Sequence, residues 1–125
     1  MRKKSRNQPC EIDPRERADE LTLRAYKLRR RGELRKSVLC LREACGLDEA
    51  NAARWMILGV RFAELGKRDD AERSMKQSLF LRERAGEKAK ANVVRGLLLK
   101  LARVARQSFD ARPVTPARSA VHMVR

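Results

Sequence analysis

The sequence predicts an all-α fold of about five helices, and three observations carry that prediction. Strong helix formers (Ala, Leu, Arg, Lys and Glu) dominate a 125-residue chain that holds only six glycines, four prolines and 4% aromatic residues. Apolar residues recur at three- and four-residue spacing rather than in strict alternation. Glycines and capping residues fall between the periodic stretches, where helices have to stop and restart.

Asp13-Pro14-Arg15-Glu16 reads as a helix start: an N-cap, a proline at the first helical position, and a glutamate placed to close a capping box. The helix runs toward Arg31 with Leu21, Ala25 and Leu28 on one side, and Gly32 ends it. A second helix carries Leu34, Val38, Leu41, Ala44 and Cys45 on its apolar stripe, with Gly46 near its end. Asn51 caps a third, which bears Trp55, Leu58, Gly59 and Phe62 and stops at Gly66. Asp69 is the expected cap of a fourth, with Ala71, Met75, Ser78 and Leu79 inward, and Gly86 separates it from a fifth. In that fifth helix, about Glu87 to Gln107, Ala89, Val93, Leu97, Leu101, Val104 and Ala105 fill one arc at 100° per residue. Lys88, Arg95, Arg103 and Arg106 cluster opposite, so the apolar arc is expected to face the core.

Shifting the sequence by 34 residues lays 18–51 on 52–85. Large side chains then match large ones (Leu21 with Trp55, Leu28 with Phe62, Leu41 with Met75), and small match small (Ala25 with Gly59, Ser37 with Ala71, Ala44 with Ser78). Gly32 falls on Gly66. This pattern, clearest in "WMILGVRFAELGKRDDAERSMKQS" (55–78) and supported by "GELRKSVLCLREACGLDEAN" (32–51), resembles the tetratricopeptide repeat family. Arg24 departs from it, standing where Leu58 stands, and Glu49 and Glu83 occupy the usual proline site. The resemblance implies antiparallel helix-turn-helix pairs in a short right-handed superhelix: two full repeats closed by a capping helix at 87–107. It divides the chain into a basic arm at 1–12, one helical domain at 13–107 and a tail at 108–125, a length that supports a single core.

The two glycines of "GVRFAELGKRDDAE" (59–72), followed by Lys67 and Arg68, imitate a phosphate-binding loop. Such a loop needs four residues between its glycines, a Ser or Thr after the lysine, and a preceding strand. Here six residues intervene, Arg68 follows the lysine, and the preceding segment has helical period. Close helix packing at Gly59 and Ala71, and a turn at Gly66, account for the small residues instead.

Little raw material for catalysis is present. His122 is the lone histidine and falls in the tail, Asp69, Asp70 and Glu72 suit a helix start, and Trp55 holds a core position of the repeat. Cys40 and Cys45 lie about 140° apart around one helix, which fits no metal site, and three cysteines in all point to a reducing, cytoplasmic setting. We expect no enzyme, no metal and no cofactor. No apolar stretch is long enough to cross a membrane, and the basic N-terminus leads into no apolar run of a signal sequence.

The net charge of +15 is unevenly spread: residues 1–47 carry 14 basic and 7 acidic groups, 48–87 carry 8 of each, and 88–125 carry 9 against 1. Repeats of the tetratricopeptide type line a concave groove with the first helix of each pair. Projected here, that implies a partner groove of Thr22, Tyr26, Arg29, Met56, Val60, Ala63, Lys90, Val94 and Leu97, apolar in the middle and basic at its sides. It fits a scaffold or adaptor binding a peptide or helix with hydrophobic anchors and acidic flanks, or a second copy of the chain as a homodimer. The alternative function is nucleic-acid binding: Arg24, Lys27, Arg30, Arg31, Arg35 and Lys36, together with Arg29, place seven cations in thirteen residues.

Overall fold

Asp13 opens the first helix as expected. In the computed structural model, which describes residues 12–111, its carboxylate accepts the backbone N–H of Arg15, and Pro14 begins α1 (Pro14–Arg30). The remaining elements are α2 (Leu34–Leu47), α3 (Ala52–Glu64), α4 (Arg68–Arg84) and α5 (Lys88–Ala111), so the described chain is entirely helical. Each helix packs on the next, most extensively within the pairs α1/α2 and α3/α4 and least between α2 and α3. The expected arm at 1–12 and tail at 108–125 lie outside the described residues, except that Ile12 precedes α1 and α5 continues four residues past Gln107.

The turns within the two pairs are built alike. Gly32 and Gly66 adopt φ of +83° and +81°, a left-handed conformation open to glycine at little cost. That lets the N–H of Glu33 reach the carbonyl of Leu28, and the N–H of Lys67 reach that of Phe62, each at 2.9 Å. Because this closure carries straight into the next helix, α4 begins at Arg68 with Lys67 in the cap position. Asp69, expected as the cap, instead lies with Asp70 in the first turn, where the helix dipole favours acids. Asn51 does cap α3, accepting the N–H of Arg54 at 3.1 Å.

Small residues set the distance within each pair. Ser37 Oγ donates to the carbonyl of Ala25, and Ser78 Oγ to that of Ala52, both at 2.8 Å and both fully buried. The 34-residue counterparts are close contacts too: Ala44 clusters with Ala18 and Leu21, and a side chain added at Gly59 would meet Met75 and the carbonyl of Ala71. Around these contacts Ala25, Val38, Leu41, Cys45, Leu58, Phe62 and Ala71 form the main core. Leu21 is buried with Ala18, Leu28 is half-buried, and Trp55 packs half-buried against the core while its Nε1–H donates to the carbonyl of Glu49 at 2.9 Å.

The phase of α5 differs from the expectation. Ala91 and Val94 are its buried residues, with Leu98 and Leu101 half-buried beside them, whereas Ala89, Val93 and Val104 are exposed. The apolar residues of α5 spread over far more of its circumference than one neighbouring helix can cover. Contact with α4 selects the face where small Ala91 and compact Val94 permit close approach, and leaves the Val93 side to solvent.

Candidate functional site

The nine residues projected onto the groove come from α1, α3 and α5, and the structure treats them unequally. On α1, Thr22 is half-buried and engaged on both sides: its Oγ1 donates to the carbonyl of Ala18 at 2.8 Å and accepts from Nε of Arg54 at 2.9 Å. Arg54 is a buried cation, 7% exposed, that also donates to Asp48 Oδ2 at 2.7 Å and to Asp19 Oδ1. It thus joins α1, α3 and the loop between α2 and α3. The sequence reading missed it, because an arginine among helical apolar residues reads as a surface residue. The available signal was Asp48, six residues before it, with Asp19 and Thr22 one repeat back.

Arg29, expected as a free groove cation, is also committed. Its Nε donates to Glu64 Oε1 at 3.1 Å and its terminal nitrogen to Oε2 at 2.6 Å, a two-pronged pair between the ends of α1 and α3. These bonds, with Arg61 at 3.5 Å, hold the Glu64 carboxyl below the usual carboxylate range, and Glu64 in turn raises the Arg29 guanidinium. Nε of Arg61 is buried with no hydrogen-bond partner among the described residues.

Apart from Lys90, what remains of the projected set is apolar or aromatic. Tyr26 is 40% exposed, and Met56, Val60 and Ala63 are each half-buried on α3. On α5, Lys90 is exposed and Leu97 half-buried, but Val94 is 1% exposed and belongs to the core. Val94 is therefore corrected from a groove residue to the packing contact of α5, for the reason of phase given above. At 100° per residue, Val93 and Val104 fall within about 40° of Leu97 on the wheel. They are 59% and 56% exposed, so an exposed apolar strip lies beside Leu97 that the projection did not include.

The six cations expected to meet phosphates or acidic partners all lie at the surface. Arg24, Lys27, Arg30, Arg31 and Arg35 form no ion pair among the described residues, while Lys36 pairs with Glu33 at 3.2 Å. The turn at Gly66 that resembled a phosphate loop follows a helix, and its Lys67 and Arg68 are exposed. A second feature was not anticipated: an open cleft of about 500 Å³ between α2 and α4, floored by Trp55, Leu58 and Phe62 and rimmed by Arg42 and an Asp70–Arg73 ion pair.

Among the described residues, no group of three His, Cys, Asp or Glu side chains lies close enough to hold a metal ion. Cys40 and Cys45 are free, and burial pushes the Cys45 thiol up to about 12. No described helix is long and apolar enough to cross a membrane. Compared with known proteins, the chain matches no family model, no curated protein and no solved structure.

Proposed function

We propose that the chain is a short array of tetratricopeptide-like helix pairs that acts by binding rather than catalysis, taking up a partner segment along the face shared by α1, α3 and α5. One observation carries the reading. Tyr26, Met56, Val60 and Ala63, with Leu97, Val93 and Val104, keep apolar surface accessible on alternate helices although the core is already closed by other residues. The recurring turn and small-residue contacts at 34-residue spacing support the repeat assignment. The free thiols of Cys40 and Cys45 accord with a reducing, cytoplasmic setting.

Charge selects the occupant. Residues 88–106 carry six basic residues and no acidic one, so an isologous homodimer across α5 would set like charges against each other. A peptide with apolar anchors and Asp or Glu flanks meets no such repulsion. Selection from a displayed peptide library tests this: enriched sequences are expected to combine spaced apolar residues with acidic flanks, and to lose binding to Val60→Arg and Leu97→Arg variants that still melt cooperatively. Enrichment without that signature, or binding indifferent to both substitutions, rules the groove out. A concentration-dependent dimer in sedimentation equilibrium that the same substitutions dissociate would assign the surface to self-association instead.

A further inference from the structure

We infer that the outer edge of α1, with the first turn of α2, is a second binding surface, and that it takes the phosphate backbone of a nucleic acid. Arg24, Lys27 and Arg31 recur at spacings of three and four, so they project from one side of α1. That side lies about 120° from the buried Ala18, Leu21 and Ala25 stripe, turned away from Thr22 and Tyr26. Arg30 and Arg35 flank the row at the turn through Gly32. The three aligned cations span about 10 Å of helix axis, a length over which a duplex carries about three charges per strand at one per about 3.4 Å of its own axis.

The carboxylates that could neutralise this row are taken by other cations. Glu20, one turn earlier on the same face, pairs with Arg17 at 3.4 Å, and Glu33 pairs with Lys36 at 3.2 Å. On α4, by contrast, Arg73 pairs with Asp70, Lys76 with Glu72 and half-buried Arg82 with Glu87, and Arg95 of α5 reaches Glu83. Four of the five ridge cations are arginines, whose planar forks suit phosphate oxygens. The one large apolar side chain exposed beside the row on α1 is Leu23, 56% exposed, which is too little apolar surface to anchor a protein interface or to seat the helix in an anionic membrane. Recognition through charge alone fits a regular, unpaired phosphate row, with weak dependence on base sequence.

The test is fluorescence anisotropy of the full chain with a labelled 20-base-pair DNA duplex and a single-stranded RNA of equal length, titrated between 50 and 200 mM salt. The triple variant Arg24→Gln, Lys27→Gln, Arg31→Gln is compared with a control triple, Arg73→Gln, Lys76→Gln, Arg84→Gln, that removes the same net charge. On the duplex, the ridge triple is expected to flatten the plot of log affinity against log salt by about 2.7, or 0.9 per phosphate contact, while the control triple stays near the parent slope. Equal losses from both triples would reduce the effect to net charge and overturn the site. So would parental affinity in the ridge triple, or ridge-dependent binding to vesicles of anionic phospholipid without binding to either nucleic acid. Unchanged thermal melting of both triples establishes that the comparison reads binding.

Discussion

Gly59 is where the spacing of the two helices of a repeat can be tested most directly. A Cβ placed there lies 2.6 Å from Met75 Cγ, 3.1 Å from the carbonyl oxygen of Ala71 and 3.3 Å from the backbone nitrogen of Met75. Carbon pairs at rest sit about 3.5–4.0 Å apart, so the closest contact falls short by about 1 Å. Met75 is itself buried, and the Ala71 carbonyl moves only if α4 moves. Overpacking of this kind costs about 1–3 kcal/mol. Against it stands the gain of about 1 kcal/mol when alanine replaces glycine inside a helix. Gly59→Ala is therefore expected to be neutral to about 2 kcal/mol destabilising. Gly96→Ala isolates the second effect, since Gly96 lies within α5 with nothing inside 4 Å of its added Cβ, and should stabilise by about 0.5–1 kcal/mol. Thermal denaturation followed by circular dichroism should place Gly59→Ala at least about 2 °C below Gly96→Ala. Equal gains from the two alanines would mean that α3 and α4 are not in close contact at Gly59, and the argument for the small-residue positions would fail with it.

Arg54→Met leaves Asp48, whose side chain is only 16% exposed, without its buried partner; urea denaturation should register a loss of about 3 kcal/mol, partly recovered by adding Asp48→Asn. Arg54→Lys should not restore the parent, because one ammonium cannot reproduce the guanidinium's separate bonds to Thr22, Asp19 and Asp48. Glu64 has a folded pKa below its unfolded value, so its carboxylate stabilises the fold above the ordinary carboxylate range and loses that effect as pH falls through the folded value. The melting-temperature gap between the parent and Glu64→Gln should accordingly narrow below about pH 4, and a gap that widens on acidification would contradict the pairing with Arg29. At pH 8 a thiol with a pKa of about 12 is almost wholly protonated, so peptide mapping after brief alkylation should find Cys40 modified and Cys45 protected until the chain is unfolded.

The parts of the fold legible in the sequence are those where packing demands a particular size. Ala25 against Ser37 and Gly59 against Ala71 must be small because two backbones meet there, and a 34-residue comparison finds them without any knowledge of partners. Gly32 and Gly66 are equally legible, since the turn requires a left-handed residue. The phase of α5 was not, because apolar residues on nearly every side of a helix leave its orientation to the surface it meets. Pairings between repeats were hidden for a different reason. Arg29 and Glu64 are 35 residues apart, as are Asp19 and Arg54, and each residue alone reads as an ordinary solvated charge. Two of the nine groove residues, Thr22 and Arg29, were consumed by those pairings, and Val94 by the α5 contact. The apolar residues of α3 kept their expected accessibility because nothing else in the described chain packs over them.

The two outer helices of the described array raise the question of why cations outnumber acids on them. A stack of helix pairs needs polar end faces to remain soluble, and a mixture of basic and acidic side chains meets that need without self-repulsion. Residues 48–87 are of that kind, with 8 basic and 8 acidic groups. The end helices differ: α1 presents Arg24, Lys27 and Arg31 in a row, and α5 presents Lys88, Arg95, Arg103 and Arg106. Like charges three or four residues apart on a helix cost a few tenths of a kcal/mol per pair, so the excess of cations is a small burden on folding rather than a contribution to it. Its physical effects lie in association. Matching positive ends disfavour end-to-end stacking of copies into filaments, and such a field would attract a polyanion or an acidic segment before any apolar contact forms. On the proposed reading, the ridge and the groove would then have separate parts: long-range attraction with steep salt dependence at one, and short-range selection by apolar anchors at the other.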